Sequence, residues 1–147
     1  MYHKSIDLHE QVTDYCETLL GVDDSIGAML DYLESSNQSD ESLFIYMGDN
    51  GFSWGEHGLI DKRHFYEESA RVPLLFYSPS RIEAGQVNQS LILNTDIAPT
   101  ILDYARAKIP DHYVGQSIKP TFNSKETYKL RDTISVSYTH LRAHETR

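Results

Sequence analysis

The chain of 147 residues has a single cysteine, Cys16, so no disulfide framework can form within it. Cysteine-based zinc sites are excluded with it, since no histidine pair at ligand spacing lies near Cys16. Positive charge is scarce: 13 Lys and Arg stand against 22 Asp and Glu, for a formal net charge of -9. A nucleic-acid surface needs clustered Lys and Arg to neutralise phosphates, and none is present. No apolar run approaches the roughly 18 residues that cross a bilayer, and mean hydropathy is -0.48. Neither an internal repeat nor a leader-like opening is visible, although a missing N-terminus would remove a leader. The composition is that of a soluble chain with enough apolar residues for one domain's core.

Leu8, Val12, Tyr15, Leu19, Val22, Ile26, Met29, Leu30 and Leu33 recur every three or four positions, which predicts an amphipathic helix over Leu8 to Glu34. Cys16 is expected on its buried face as a small hydrophobe. Ser35 to Asp40 reads as a polar turn. Leu43 to Met47 is uniformly apolar and predicts a buried strand of a largely parallel sheet. Lys62 to Ser69 suggests a helical turn and Val72 to Tyr77 a second strand, with Pro73 and Pro79 at its ends. Ser90 to Leu93 reads as a third strand. Thr95 or Asp96 should cap a helix running to Ala105, with Pro99 in its first turn. Two glycosylation-like triplets, Asn37-Gln38-Ser39 and Asn88-Gln89-Ser90, are short enough to arise by chance.

Chemistry concentrates after the first strand. Gly48-Asp49-Asn50-Gly51 is followed by Gly55-Glu56-His57-Gly58 and Asp61-Lys62-Arg63-His64. Open α/β sheets bind ligands at the carboxyl ends of their strands. Asp49 and Asn50 offer oxygens suited to a hard cation, Ca²⁺ or Mg²⁺, but two donors need several more to complete a site. An EF-hand is excluded, because Ile45 and Met47 stand where that loop needs acids. Asp23 and Asp24 fit solvated or capping charges on a helix flank, and Glu67 and Glu68 fit structural pairing with Arg71.

These motifs, with Tyr66-Glu67-Glu68-Ser69, Arg71-Val72-Pro73-Leu74 and Leu93-Asn94-Thr95-Asp96-Ile97-Ala98-Pro99-Thr100-Ile101-Leu102, in this order and spacing, resemble a type I sulfatase of the alkaline phosphatase superfamily. Val22-Asp23-Asp24-Ser25-Ile26-Gly27 is similar to the helix preceding that family's metal-bearing strand. The wording is most similar to bacterial glycan sulfatases of the N-acetylglucosamine-6-sulfatase kind.

The resemblance implies a partial alkaline-phosphatase-like three-layer α/β sandwich, a mostly parallel sheet flanked by helices. It implies that Asp49 and Asn50 are one pair of ligands to Ca²⁺, with Mg²⁺ the lesser fit, and that Lys62 contacts the sulfate. His57 either faces the substrate or braces the loop. The implied partner is a sulfated carbohydrate, and the implied location is the periplasm or the exterior. Sulfatases of this type use a formylglycine made from Cys or Ser within Cys/Ser-x-Pro/Ala-x-Arg, a motif absent here. Residues 1–134 are therefore read as the back part of a catalytic domain, expected to be inactive alone. Two alternatives stay open: a phosphate or phosphonate ester hydrolase of the same superfamily, and a non-enzymatic binder of sulfated glycans. Residues 135–147 depart from the pattern, resemble translated sequencing-adapter DNA, and are expected to be a non-native tail.

Overall fold

The computed structural model describes residues 7–123 and 130–134; the expected tail at 135–147 lies outside them. The chain divides into two compact units, one up to Ile82 and one from Glu83.

In the first unit, helix α1 (Leu8–Ser35) follows the apolar period closely. Asp7 caps it, its Oδ1 accepting from the backbone N–H of His9 at 3.0 Å and Glu10 at 3.4 Å. It ends at Asn37, whose left-handed φ of 56° lets the N–H groups of Asn37 and Gln38 return to Glu34 and Leu33. Leu8, Val12, Val22, Ile26, Leu30 and Leu33 are half-buried, yet no α1 residue is fully buried. Cys16 is exposed rather than buried. It sits beside the apolar stripe, next to Tyr15, whose ring meets that of Trp54 at 5.2 Å.

Strand β1 (Phe44–Met47) leads to a short hairpin of β2 (Ser53–Trp54) and β3 (Ile60–Asp61), then to helix α2 (Glu67–Ala70) and strand β4 (Leu74–Tyr77). The expected parallel pairing is corrected here: β1 and β4 are antiparallel, with Phe44 opposite Tyr77 and Met47 opposite Leu74. A parallel pair needs a crossover, usually a full helix, between its strands. Residues 48–73 instead hold a hairpin and a four-residue helix, which return the chain along the same edge. An antiparallel strand pair is common within α/β sheets, so the class is unaffected. β4 alternates half-buried Leu74 and Phe76 with exposed Leu75 and Tyr77.

The second unit is built around helix α3 (Ile97–Tyr104), which follows a tight turn at Asn94–Asp96. Asp96, fully buried, organises it. Its carboxylate accepts from the backbone N–H of Leu93 at 2.8 Å and of Gln116 at 2.9 Å, and takes both guanidinium nitrogens of Arg131 at 2.5 and 2.8 Å. Burial pushes its pKa up, but the hydrogen bonds from Arg131, Gln116 and Leu93, with the Arg131 charge, outweigh that and hold it below the usual value. Buried Thr100 extends the network, donating to Asp96 O at 2.6 Å and accepting from the N–H of fully buried Ile118 at 3.0 Å.

The strand expected at Ser90–Leu93 does not form, because its backbone groups are taken by side chains. Ser90 N donates to Asn88 Oδ1, Leu93 N donates to Asp96, and Leu91 O accepts from Arg131.

Candidate active-site loop

The loop after β1 is anchored on the α2 side. Gly48 N donates to Pro73 O at 3.2 Å and Gly51 N to Ser69 O at 3.0 Å. A Cβ on Gly51 would run into the Glu68 carbonyl oxygen and lie 2.9 Å from that of Arg71, so only glycine allows this approach. Ser53 and Ser69, both buried, meet hydroxyl to hydroxyl at 3.3 Å. The loop on which Asp49 and Asn50 sit is thereby fixed at the carboxyl end of β1.

Asp49 is exposed and Asn50 half-buried. Asp49 Oδ1 accepts from Asn50 N at 2.8 Å. Asn50 Nδ2 donates to Gly51 O at 2.8 Å, which fixes the amide orientation and turns Oδ1 the other way. There it accepts from Lys62 Nζ at 2.9 Å. Amide and ammonium are thus brought together across the twelve positions from Asn50 to Lys62, while the Asp49 carboxylate bonds the backbone of Asn50.

Two groups here have the oxygen chemistry that a hard cation takes, the Asp49 carboxylate and the Asn50 amide oxygen, which accepts from Lys62 in this structure. It is incomplete, since no group of three or more His, Cys, Asp or Glu able to hold a metal occurs among the described residues.

His57 lies at the tip of the β2–β3 hairpin, in a turn over Glu56–Gly58 with a left-handed φ of 55°. Its ring stacks on Tyr66, centroids 3.8 Å apart and planes 13° from parallel, and its Nε2 is 3.4 Å from Glu68 Oε2. Glu67 pairs with Arg71 at 3.0 Å, as expected from their spacing. Glu68 takes a different partner, His57. Tyr66 and Ser69 were singled out in the sequence only as part of a motif, and Glu68 as a partner for Arg71. Their role as supports depends on contacts over 9 to 18 positions that no helix or strand period encodes.

Residues 55–147 match the family model described as N-sulphoglucosamine sulphohydrolase, C-terminal. A curated relative from Bacteroides thetaiotaomicron, N-acetylglucosamine-6-O-sulfatase, is 40% identical over 116 residues, covering 79% of this chain and 21% of that protein. A solved structure of a protein in complex with its substrate D-glucosamine-2-N,6-O-disulfate superposes with a TM-score of 0.77 at 38% identity, covering 88% of this chain and 27% of that one. The phosphonate monoester hydrolase of Silicibacter pomeroyi superposes with a TM-score of 0.64 at 27% identity, covering 78% and 22%. The chain spans about a fifth of the length of the curated relatives it matches. Order of motifs, loop geometry and family match agree, and the chain belongs to the sulfatase family of the alkaline phosphatase superfamily, with its alkaline-phosphatase-like α/β fold.

Proposed function

We propose that the chain is part of an enzyme that hydrolyses sulfate esters of a carbohydrate, with an amino sugar as the preferred class. The observation that carries this reading is Lys62 Nζ on Asn50 Oδ1 at 2.9 Å, at the end of β1, in a chain 40% identical to an N-acetylglucosamine-6-O-sulfatase. In this reading Asp49 and Asn50 supply two of the oxygens that hold Ca²⁺, with Mg²⁺ the poorer fit. The ion, when bound, polarises the sulfate oxygens. Lys62 places a fixed ammonium beside the same oxygens and offsets charge on the bridging oxygen as the alcohol leaves. Formylglycine is the nucleophile of this family's type I enzymes, and with its motif absent the chain alone should release no sulfate. A secreted or periplasmic location accords with the family. Among the described residues no helix is long and apolar enough to cross a membrane.

The test is the protein encoded by the complete gene, assayed for sulfate release from 6-O-sulfated N-acetylglucosamine. Lys62→Ala should lower kcat by about 10²–10³-fold, the usual cost of removing one group that stabilises transition-state charge. Asp49→Asn should weaken Ca²⁺ retention measured by equilibrium dialysis. Unchanged kinetics in the Lys62 variant would remove it from the chemistry. The likeness to a phosphonate monoester hydrolase supports a second reading, ester hydrolysis at phosphorus. Turnover of a phosphonate monoester with no sulfate release would favour it. Binding of Ca²⁺ and sulfated sugar with no turnover of either ester would make the protein a glycan binder.

A further inference from the structure

We infer that His57 is a positioning residue, not a group that touches substrate: with Tyr66 and Glu68 it forms a clamp that holds the β2–β3 hairpin, and with it Lys62, against α2. The inference deepens the role given to Lys62 and rests on that reading. His57 occupies left-handed backbone, φ 55°, a region in which histidine, like asparagine and aspartate, is enriched among residues other than glycine. Two contacts hold its ring there. One face of the imidazole lies flat on Tyr66 at 3.8 Å, and Nε2 lies 3.4 Å from the Glu68 carboxylate. Both partners belong to the segment that holds the Asp49–Asn50 loop through Ser69 O and the Ser53–Ser69 hydroxyl contact. The hairpin tip and the Asp49–Asn50 loop are therefore fastened to one short element. Lys62, at the end of the hairpin's return strand, reaches Asn50 from that frame. A ring stacked on one side and engaged at Nε2 on its edge has its strongest contacts spent within the chain.

The 147-residue chain itself supplies the first test. Within the tip, the N–H of Gly55 donates to Leu59 O, of Gly58 to Gly55 O, and of Leu59 to Glu56 O, so their exchange with deuterium reports whether the tip is held. His57→Asn keeps a residue at ease in left-handed backbone but removes the ring. It should speed exchange at these three amides by about tenfold, as should Tyr66→Leu, whereas Tyr66→Phe should behave as wild type. The His57 ring protons should resonate upfield in the wild type and in Tyr66→Phe, and lose that shift in Tyr66→Leu. Unaltered exchange in His57→Asn would overturn the clamp.

In the complete enzyme His57→Asn should lower kcat/KM about tenfold, and should cost nothing further in a Lys62→Ala background, because its effect passes through Lys62. A full additional loss in that background, or no loss in the single variant, would overturn the positioning role. Absence of sulfatase activity in the complete wild-type enzyme would sink the proposed function while leaving the exchange result intact.

Discussion

Gly51 shows how narrowly one position can set the geometry of this loop. Any side chain there meets the backbone carbonyl of Glu68, a group that cannot swing aside without moving α2. Gly51→Ala should therefore displace the Asp49–Asn50 loop and destabilise the first unit by about 2–3 kcal/mol, read from urea unfolding. Gly58→Ala is the control, for no atom lies within 4 Å of its Cβ position. It keeps only the penalty of its left-handed φ of 71°, about 1 kcal/mol. The Asn50–Lys62 contact joins two residues that motif order had singled out, where spacing alone would not have paired them. The His57–Glu68 contact was not readable. Glu67 and Glu68 look equivalent in sequence, and only the turn of α2 sends one to Arg71 and the other to the hairpin tip.

Helix α3 is an element whose start is fixed by a carboxylate behind it. The sequence pointed to Thr95 or Asp96 as its cap; Asp96 stands at that position, but its side chain accepts from no N–H of α3 and reaches back instead to Leu93 N, closing the preceding turn. Its further partners, Gln116 and Arg131, lie 20 and 35 positions away, beyond any local pattern. Asp96→Ala strands the largely buried guanidinium of Arg131 and two backbone donors, so the second unit should lose about 3–5 kcal/mol, measured by denaturant unfolding. The same network sets a pH dependence. Asp96 and Asp103 both have pKa values held below the ordinary aspartate value of 3.8; for Asp103 the hydrogen bonds from Lys119 and Ser117 are the main cause. A carboxyl more acidic in the fold than in the unfolded chain stabilises the fold above its unfolded pKa. That contribution is lost as pH falls below 3.8 and through the lower folded values. Asp96→Asn should flatten the acid limb of stability against pH. An acid limb as steep as that of the wild type would show that Asp96 does not drive it.

Across the chain as a unit, the apolar period located α1 to within a residue at each end, but it carried no information about what would cover the helix. Tyr15, Leu19 and Met29 lie on or beside the apolar stripe and remain 47%, 40% and 56% exposed. Trp54, 5.2 Å from Tyr15, touches only one end of it. Cys16 was misplaced for the same reason: helical spacing identifies a face, whereas burial needs a second surface against it. The direction of the β1–β4 pair was not legible either, since uniform apolarity in Leu43–Met47 describes a strand's surroundings and not its partner's direction. An open stripe of this length in a chain that is one-fifth of its relatives has a measurable consequence, because a contiguous exposed apolar patch drives association. The 147-residue chain should bind a dye such as ANS and self-associate at micromolar concentration in sedimentation velocity. Replacing Leu19 with Lys and Met29 with Glu should restore a monomer and abolish most dye binding, with the far-ultraviolet helix signal unchanged, since both positions are already solvent-accessible. A wild-type chain that stays monomeric and dye-free would mean that the stripe is covered in solution by the chain's own residues.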